Sequence, residues 1–380
     1  MIGAIRSLGR AGYRVHACSW DADALGLRSS YAERSEVHPP YADPAFLPWL
    51  LDYADRHAID AILPSESFLL AIRPAYDRIA PRMPIGPDEA TVYRCFSKFD
   101  VVEHFQRAPA GSGIADHLPE SLLWRRGDPL PGAERLAALR RPVFIKADGV
   151  QGTARHKGTI ARAKTAEEAA QAVARLANDY SAILVQSFVP GTRVVADFCI
   201  WKGQVRSRSM MEAQHESPHY GGISTLRTTT WDQAVWDDAE RKLRHLGLEG
   251  VAMMEYRRDT ATGEFNYIEI NARYWTGIHV EMGAGIDIPT LQMDAFFDRP
   301  QPVPDPRTPR IPYRYTVPGE MGYLGSLLKD PSVGAARKAK AIAEFVALGL
   351  DPRVKSDLSF PGDRKLWFLA LSRYARQLAK

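Results

Sequence analysis

The stretch FNYIEINARYWTG, residues 265–277, places a carboxylate, an amide and a guanidinium on alternate positions: Glu269, Asn271 and Arg273. In a β-strand, residues i, i+2 and i+4 share a face. A strand here therefore carries an acid, a neutral oxygen donor and a cation in one row, in a segment that begins apolar. Burying such a row is costly unless something compensates it. A second strand, VAMMEYRRD (251–259), lies just upstream, with a turn at 261–263 between them. A hairpin of this kind brings one acid from each strand side by side. Taken alone, the pattern also fits an ordinary hairpin whose exposed acids pair with arginines.

Working outward, the chain has 380 residues, 45% hydrophobic and 25% charged, which are globular values for two or three domains. No apolar run reaches the ~18 residues of a membrane span. MIGAIRSLGRAGYRV, at the start, has arginines at helical spacing and no cleavage pattern, so it does not read as a signal peptide. Cys18, Cys95 and Cys199 lie far apart and form neither a zinc pattern nor a disulfide framework. A cytoplasmic location is expected. Net charge is +4. That is mild, and with no nucleic-acid motif in view the expected partners are small molecules.

From the N-terminus, residues 2–11 read as a short amphipathic helix stopped by Gly12, then YRVHACSW (13–20) as a strand, FLPWLLDYADRHA (46–58) as a helix and DAILPSE (60–66) as a strand. This alternation describes a small doubly wound parallel sheet. Its first element is a helix where such units open on a strand. Either that strand is absent or the natural start lies upstream, and the edge left uncovered would invite pairing, including a homodimer. From residue 91 the texture changes. TVYRCFSKFDVVEHFQRA (91–108) reads as helix, PVFIKADG (142–149) as a strand into a glycine turn, and 165–178 as a helix with Thr165 and Glu168 in a capping box. SAILVQSFVPG (181–191) is a buried strand, 193–211 a hairpin turning at Lys202–Gly203, 231–246 a helix and 288–298 a helix opened by Pro289. A proline-dense linker (300–312) precedes a basic tail with two amphipathic helices.

In order and spacing these segments resemble the ATP-grasp superfamily, whose members include biotin carboxylase, carbamoyl phosphate synthetase and D-alanine–D-alanine ligase. The resemblance spans roughly residues 1–300. It implies an α/β fold, α+β in the ATP-binding part. An N-terminal doubly wound parallel-sheet domain that lacks its first strand (1–90) would precede an ATP-grasp domain of two lobes (91–300, hinge near 186–192) and a C-terminal extension (301–380). It also implies that Glu255, Glu269 and Asn271 hold Mg2+, with Mn2+ as an alternative, against the phosphates of ATP. Magnesium chemistry agrees, since it takes one or two carboxylates besides phosphate oxygens. Lys98 in FSKFD and Lys146 in PVFIKADG match the family's phosphate-binding lysines. The loop after Lys146 stands where the family has its mobile glycine-rich cover but is poorer in glycine than in the carboxylases, and Arg155, His156 and Lys157 either supply phosphate contacts there or form a solvated loop tip. Backbone around Gln186, Ser187, Phe188 and Val189 matches the segment facing adenine. Thr192 sits where relatives often place a ribose-binding acid. Arg273 would meet the transferred phosphoryl group, with Lys146 as its companion in catalysis.

The reaction implied is ATP-dependent ligation: a substrate carboxylate is phosphorylated to an acyl phosphate, which an amine, or a thiol, then attacks. On the substrate side Gly221–Gly222 would let backbone approach a ligand and Arg227 would grip a carboxylate. His215 and His219 are four apart, yet Pro218 opposes the helix a metal pair would need. The alternative from another class is an ATP-binding regulatory or assembly subunit without ligase activity.

Overall fold

Residues 1–152 and 158–378 are described by a computed structural model. The first helix, Ile2–Arg10, buries Ala4 and Leu8 and ends as Gly12 takes a positive φ of 89°, a conformation glycine adopts without steric cost. The strand that follows is shorter than expected, His16–Ser19, and pairs in parallel with Arg34–Val37. The expected strand over 60–66 does not form. Those residues run extended, with the Ile62 amide donating to the Arg82 carbonyl at 2.7 Å. Ser65 instead caps a helix, Glu66–Ile72, accepting from the Phe68 amide at 3.2 Å. An extended segment counts as a strand only when a neighbouring edge pairs with it, and among the described residues none does.

The helix expected over 91–108 is two, Glu89–Phe96 and Lys98–Gln106. Ser97 ends the first and caps the second, its hydroxyl accepting from the Asp100 amide at 3.1 Å. A four-stranded antiparallel sheet follows, with Ser121–Arg125, Ala182–Gln186, Val143–Ala147 and Thr159–Ala163 in spatial order. Helix Ala166–Leu176 covers it through Ala169, Ala172 and Val173. Its capping box is closed: Thr165 accepts from the Glu168 amide at 3.1 Å, and Glu168 reaches back to the Lys164 amide at 2.6 Å.

The large sheet has seven strands in the order Phe265–Asn271, Gly250–Arg258, Thr192–Trp201, Gln204–Ser217, Ile223–Thr229, Tyr313–Arg314 and Lys355–Ser356. One face packs on helix Gln233–Leu246, where Trp236 stacks on Phe198 with centroids 3.9 Å apart. Helix Ile288–Phe296 packs on its other face. The residues beyond the proline-dense linker are thus woven into the sheet through two short strands, and their helices Ala335–Leu350 and Lys365–Leu378 follow the surface. No helix among the described residues is long and apolar enough to cross a membrane.

The C-terminal segment closes on the N-terminal helix through a buried ion pair, Arg6 to Asp363 at 3.0 Å. Beside it, Arg6 Nη1 donates to His279 Nε2 at 3.1 Å, which leaves the ring proton on an Nδ1 that has no partner among the described residues. Burial, helped by the nearby Arg6 and Arg227, pulls the His279 pKa down to about 4. The unfolded chain therefore binds the extra proton first. Stability from this group is complete above pH 6.5 and is lost as pH falls toward 4, about 2–3 kcal/mol by pH 4.5. Urea unfolding at pH 7 and pH 4.5 should show that loss reduced by this amount in His279→Gln; an unchanged pH dependence would place the titration elsewhere.

Candidate functional site

Glu255 and Glu269 are direct partners in the antiparallel pairing of Gly250–Arg258 with Phe265–Asn271. Like charges directly opposite repel, and the fold supplies cations from outside the hairpin. Lys98 Nζ stands 3.6 Å from Glu269, and Arg193 Nε 3.1 Å from Glu255. Asn271 donates its amide to Glu269 at 3.2 Å.

Each lysine is placed by a local device. Ser97 starts the helix that carries Lys98, and Asp148 fixes that start by accepting from the Ser97 hydroxyl and the Phe99 amide, both at 3.2 Å. Asp148 directly follows the strand Val143–Ala147, which carries Lys146. Lys146 is buried and donates to Gln186 Oε1 at 2.8 Å and to the Ile268 carbonyl at 3.4 Å. An inner strand of the small sheet therefore touches the edge strand of the large one, and the cleft between the sheets runs past Lys98, Lys146, Glu255, Glu269 and Asn271.

Charge in the cleft is poised. Burial raises the Glu255 carboxyl above the usual carboxylate range, and Glu269 adds to this while Arg193 opposes it. For Glu269 burial is outweighed by Lys98 and Lys146, which hold it at about 2. The Lys98 ammonium is raised by Glu269, whereas burial lowers Lys146. Burial also raises Asp148. One acid is firmly ionised, and its neighbour needs a further cation to ionise with equal ease. Among the described residues no cluster of three or more His, Cys, Asp or Glu side chains is placed to bind a metal. Two facing carboxylates and an amide suit a magnesium ion whose other ligands come from phosphate and water.

Arg273 lies just past the strand end, with Nε 3.6 Å from Glu66 and Nη1 donating to the Tyr274 carbonyl at 3.3 Å. Glu66 was not legible as a site residue, because it falls in the segment read as a strand. Asp148 and Arg193 were also missed. The acid of Lys-Ala-Asp-Gly, directly after the lysine strand, was the available signal for Asp148.

Along the hinge, Gln186 is buried and its Nε2 has no partner among the described residues. The Ser187 amide donates to the Glu120 carbonyl at 2.9 Å and the Phe188 amide to the Arg140 carbonyl at 3.0 Å. Those two donors are engaged within the fold. Val189 lies between them and Thr192, which opens the next strand opposite Arg258.

The three substrate-side candidates do not converge. A Cβ on Gly222 would collide with the Ser217 carbonyl oxygen, so closure of the hairpin itself requires that glycine. Gly221, at a φ of 129°, belongs to the same turn. Arg227 is five residues further along, roughly 17 Å at strand rise, fully buried and ion-paired with Asp357. Near the turn, Glu216 accepts both Arg257 terminal nitrogens at 2.6 Å and pairs with Arg193 at 3.3 Å, which braces Glu255's partner. His215 and His219 sit apart from the cleft's acids, paired with Glu320 and Asp330 at 3.1 and 3.0 Å. Arg155, His156 and Lys157 lie outside the described residues.

A family described as "ATP-grasp in the biosynthetic pathway with Ter operon" matches residues 179–317. That span includes both acids, Asn271 and Arg273. No curated protein matches the chain. Among solved structures, a biotin carboxylase from Campylobacter jejuni, in complex with a β,γ-ATP compound, is similar at 19% identity with a TM-score of 0.57, covering 80% of this chain and 69% of that one. An L-amino acid ligase from Bacillus licheniformis gives 17% identity and a TM-score of 0.57, covering 77% and 70% respectively. A phosphoribosylglycinamide synthetase from Anaerococcus prevotii gives 15% and 0.54, covering 79% and 73%.

Proposed function

The chain has the ATP-grasp fold, and on that premise we propose that it is an ATP-dependent ligase that activates a carboxylate as an acyl phosphate and joins it to an amine, or to a thiol, releasing ADP and phosphate. The observation that carries this reading is the cleft itself: Glu255 facing Glu269, with Asn271 beside them and Lys98 and Lys146 opposite. Three oxygen donors suit a divalent cation, and two cationic side chains suit a phosphate tail.

In this reading Lys98 and Lys146 hold phosphate oxygens, and Glu255, Glu269 and Asn271 hold Mg2+. Bound there, Mg2+ neutralises phosphate charge. Nucleotide takes the place of the internal partners: Lys98 turns from Glu269 to phosphate, and Lys146 exchanges its bond to Ile268. Adenine recognition falls to the hinge carbonyls and the Val189 amide, with Gln186 Nε2 as a side-chain donor, because the Ser187 and Phe188 amides are already engaged. Thr192 borders the ribose.

A substrate carboxylate oxygen attacks the γ-phosphorus as the bond to ADP breaks. The acyl carbon gains phosphate as a leaving group in place of oxide. The amine then adds, loses a proton, and expels phosphate. Arg273 stands beside this path, where its guanidinium offsets charge on the transferring group and on the tetrahedral oxyanion. Positioning and charge neutralisation are most of what the chain supplies.

The test is incubation with ATP, MgCl2 and pooled carboxylic acids and amines, read by mass spectrometry. The expected result is ADP together with a product whose mass is acid plus amine minus water. Tight nucleotide binding with no phosphate release across a broad pool would overturn the ligase in favour of a regulatory subunit. A phosphorylated acceptor that persists without condensation would identify a kinase instead.

A further inference from the structure

A cavity of about 310 Å3 opens where three parts of the chain meet: the start of the first helix, the loop that follows Arg273, and the C-terminal extension. Trp275, Thr276 and Ile278 form one wall, and Ile2 and Leu25 a second. The extension supplies the rest, with Tyr315 and Val317 ahead of helix Met321–Lys329, Leu358 after the strand Lys355–Ser356, and Ala370 and Tyr374 on helix Lys365–Leu378. The family match ends at residue 317, so Leu358, Ala370 and Tyr374 lie outside it. Local devices hold the walls in place. A Cβ on Gly3 would collide with Ile278, so glycine lets the start of the helix come close against the loop. The Trp275 indole donates to Glu281 at 3.3 Å, which sets the ring's orientation. Arg373 donates to the Asp23 carbonyl at 3.0 Å and to Asp21 at 2.7 Å, tying the last helix to the N-terminal lobe.

Protein interiors rarely leave voids larger than a water molecule, so an opening of this size is not ordinary packing. The charged side chains around it are already matched. Asp357 pairs with Arg227, Arg373 with Asp21, and Arg6, beside His279, with Asp363. His279 Nδ1 and Asp357 Oδ1 have no partner among the described residues, but both atoms are covered, and the surface that faces the opening is mainly apolar. A charged group placed here would give up its hydration with no free counter-charge to meet. An apolar group gains from burial. The volume equals that of about ten water molecules at ~30 Å3 each, which is room for a side chain of up to about ten non-hydrogen atoms.

Position says which molecule fills it. Trp275 follows Arg273 by two positions, and Met1, on the rim, has its nitrogen within range of the Arg273 charge. The cavity therefore adjoins the end of the cleft where the proposed ligase reaction activates its carboxylate. We propose that this cavity receives the side chain of the carboxylic acid substrate, that this side chain is uncharged and apolar or aromatic, and that the C-terminal extension is the element that selects it. The inference rests on the ligase reading for the placement of the carboxylate at Arg273, and on the cavity alone for the character of the side chain. The carboxylate lies against Arg273, and the rest of the acid runs past Trp275 into the opening. An acidic or basic side chain is rejected because its charge meets no partner. A side chain of one or two carbons leaves the walls unfilled and binds weakly.

The test is calorimetric binding of 3-phenylpropanoate, acetate and succinate to the full chain, with Mg2+ and a non-hydrolysable ATP analogue present. 3-Phenylpropanoate should bind at least about tenfold more tightly than acetate, from burial of its ring, and succinate no more tightly than acetate. Ala370→Phe, which fills the opening from the last helix, should abolish that advantage. Arg273→Gln should weaken 3-phenylpropanoate binding as well, because it removes the partner of the carboxylate. Equal binding of 3-phenylpropanoate and acetate overturns the proposal, as does an advantage that survives Ala370→Phe. Undiminished binding in Arg273→Gln also overturns it, by placing the carboxylate elsewhere. If Ala370→Phe does not fold, Tyr374→Ala carries the test. It widens the opening and should shift preference from 3-phenylpropanoate toward a larger aromatic acid, and an unchanged preference overturns the proposal. None of these readouts needs turnover. Failure of the ligase reading would show as no ADP formed with any acid while the binding pattern holds, so the two failures are distinguishable.

Discussion

Replacing Glu269 by Gln is expected to lower ATP turnover about a thousandfold while the protein remains folded. The size follows from what charge-stabilising groups contribute in phosphoryl transfer, on the order of 10³ or more. The side chain is isosteric and still accepts from Asn271, so the local packing persists. What disappears is the anion facing Lys98 and Lys146, and one of the two carboxylates of the proposed cation site. Lys146 is already lowered by burial. Without Glu269 it is easier still to deprotonate, and a neutral amine is a poor partner for phosphate. Release of ADP with each candidate substrate, alongside the thermal unfolding midpoint, measures both halves. Turnover within threefold of the unchanged protein would remove Glu269 from the chemistry.

Arg273→Lys is the second large effect. It keeps the positive charge and loses the planar fork that meets two oxygens at once. The expected result is a kcat lowered about 10²- to 10³-fold, with nucleotide affinity changed little, because Arg273 lies beyond the lysines and acids proposed to flank the phosphates. That split would show an interaction made in the transition state. An equal loss of ATP affinity would instead make Arg273 a ground-state phosphate clamp.

The row of the candidate site was readable in the sequence because a strand's period of two is rigid. Glu269 and Asn271 share a face by backbone geometry alone, and the adjacent hairpin strand brings Glu255 opposite. Lys98 and Lys146 were legible for a related reason: each sits at a fixed point of an element, the first turn of a helix and the interior of a strand. What could not be read depends on contacts distant in sequence. Asp60–Glu66 has the composition of a strand, but pairing is a property of two segments, and here the partner edge is a cavity wall. Arg227 looked like a ligand-gripping cation until the chain returned about 130 positions later to bring Asp357 against it. Gly222 looked like a place for ligand approach, and its small size is used up by the Ser217 carbonyl. The break at Ser97 was readable in principle, since serine both stops one helix and caps the next. Continuous apolar periodicity across it concealed the junction.

The C-terminal extension shows the same limit. Its helices were legible from amphipathic spacing, whereas the two-residue strands Tyr313–Arg314 and Lys355–Ser356 were too short to carry a pattern. They matter because they tie the end of the chain to the sheet that carries Glu255 and Glu269.

The most direct test of the cleft as a nucleotide–cation site is a Mn2+ titration followed by electron paramagnetic resonance, with and without ATP, on the unchanged protein and on Glu255→Gln/Glu269→Gln. The expected result is a bound Mn2+ signal that requires ATP and disappears in the double variant. Equal, ATP-dependent Mn2+ binding by both proteins would contradict the account, because the cation would then be held somewhere other than between these two strands.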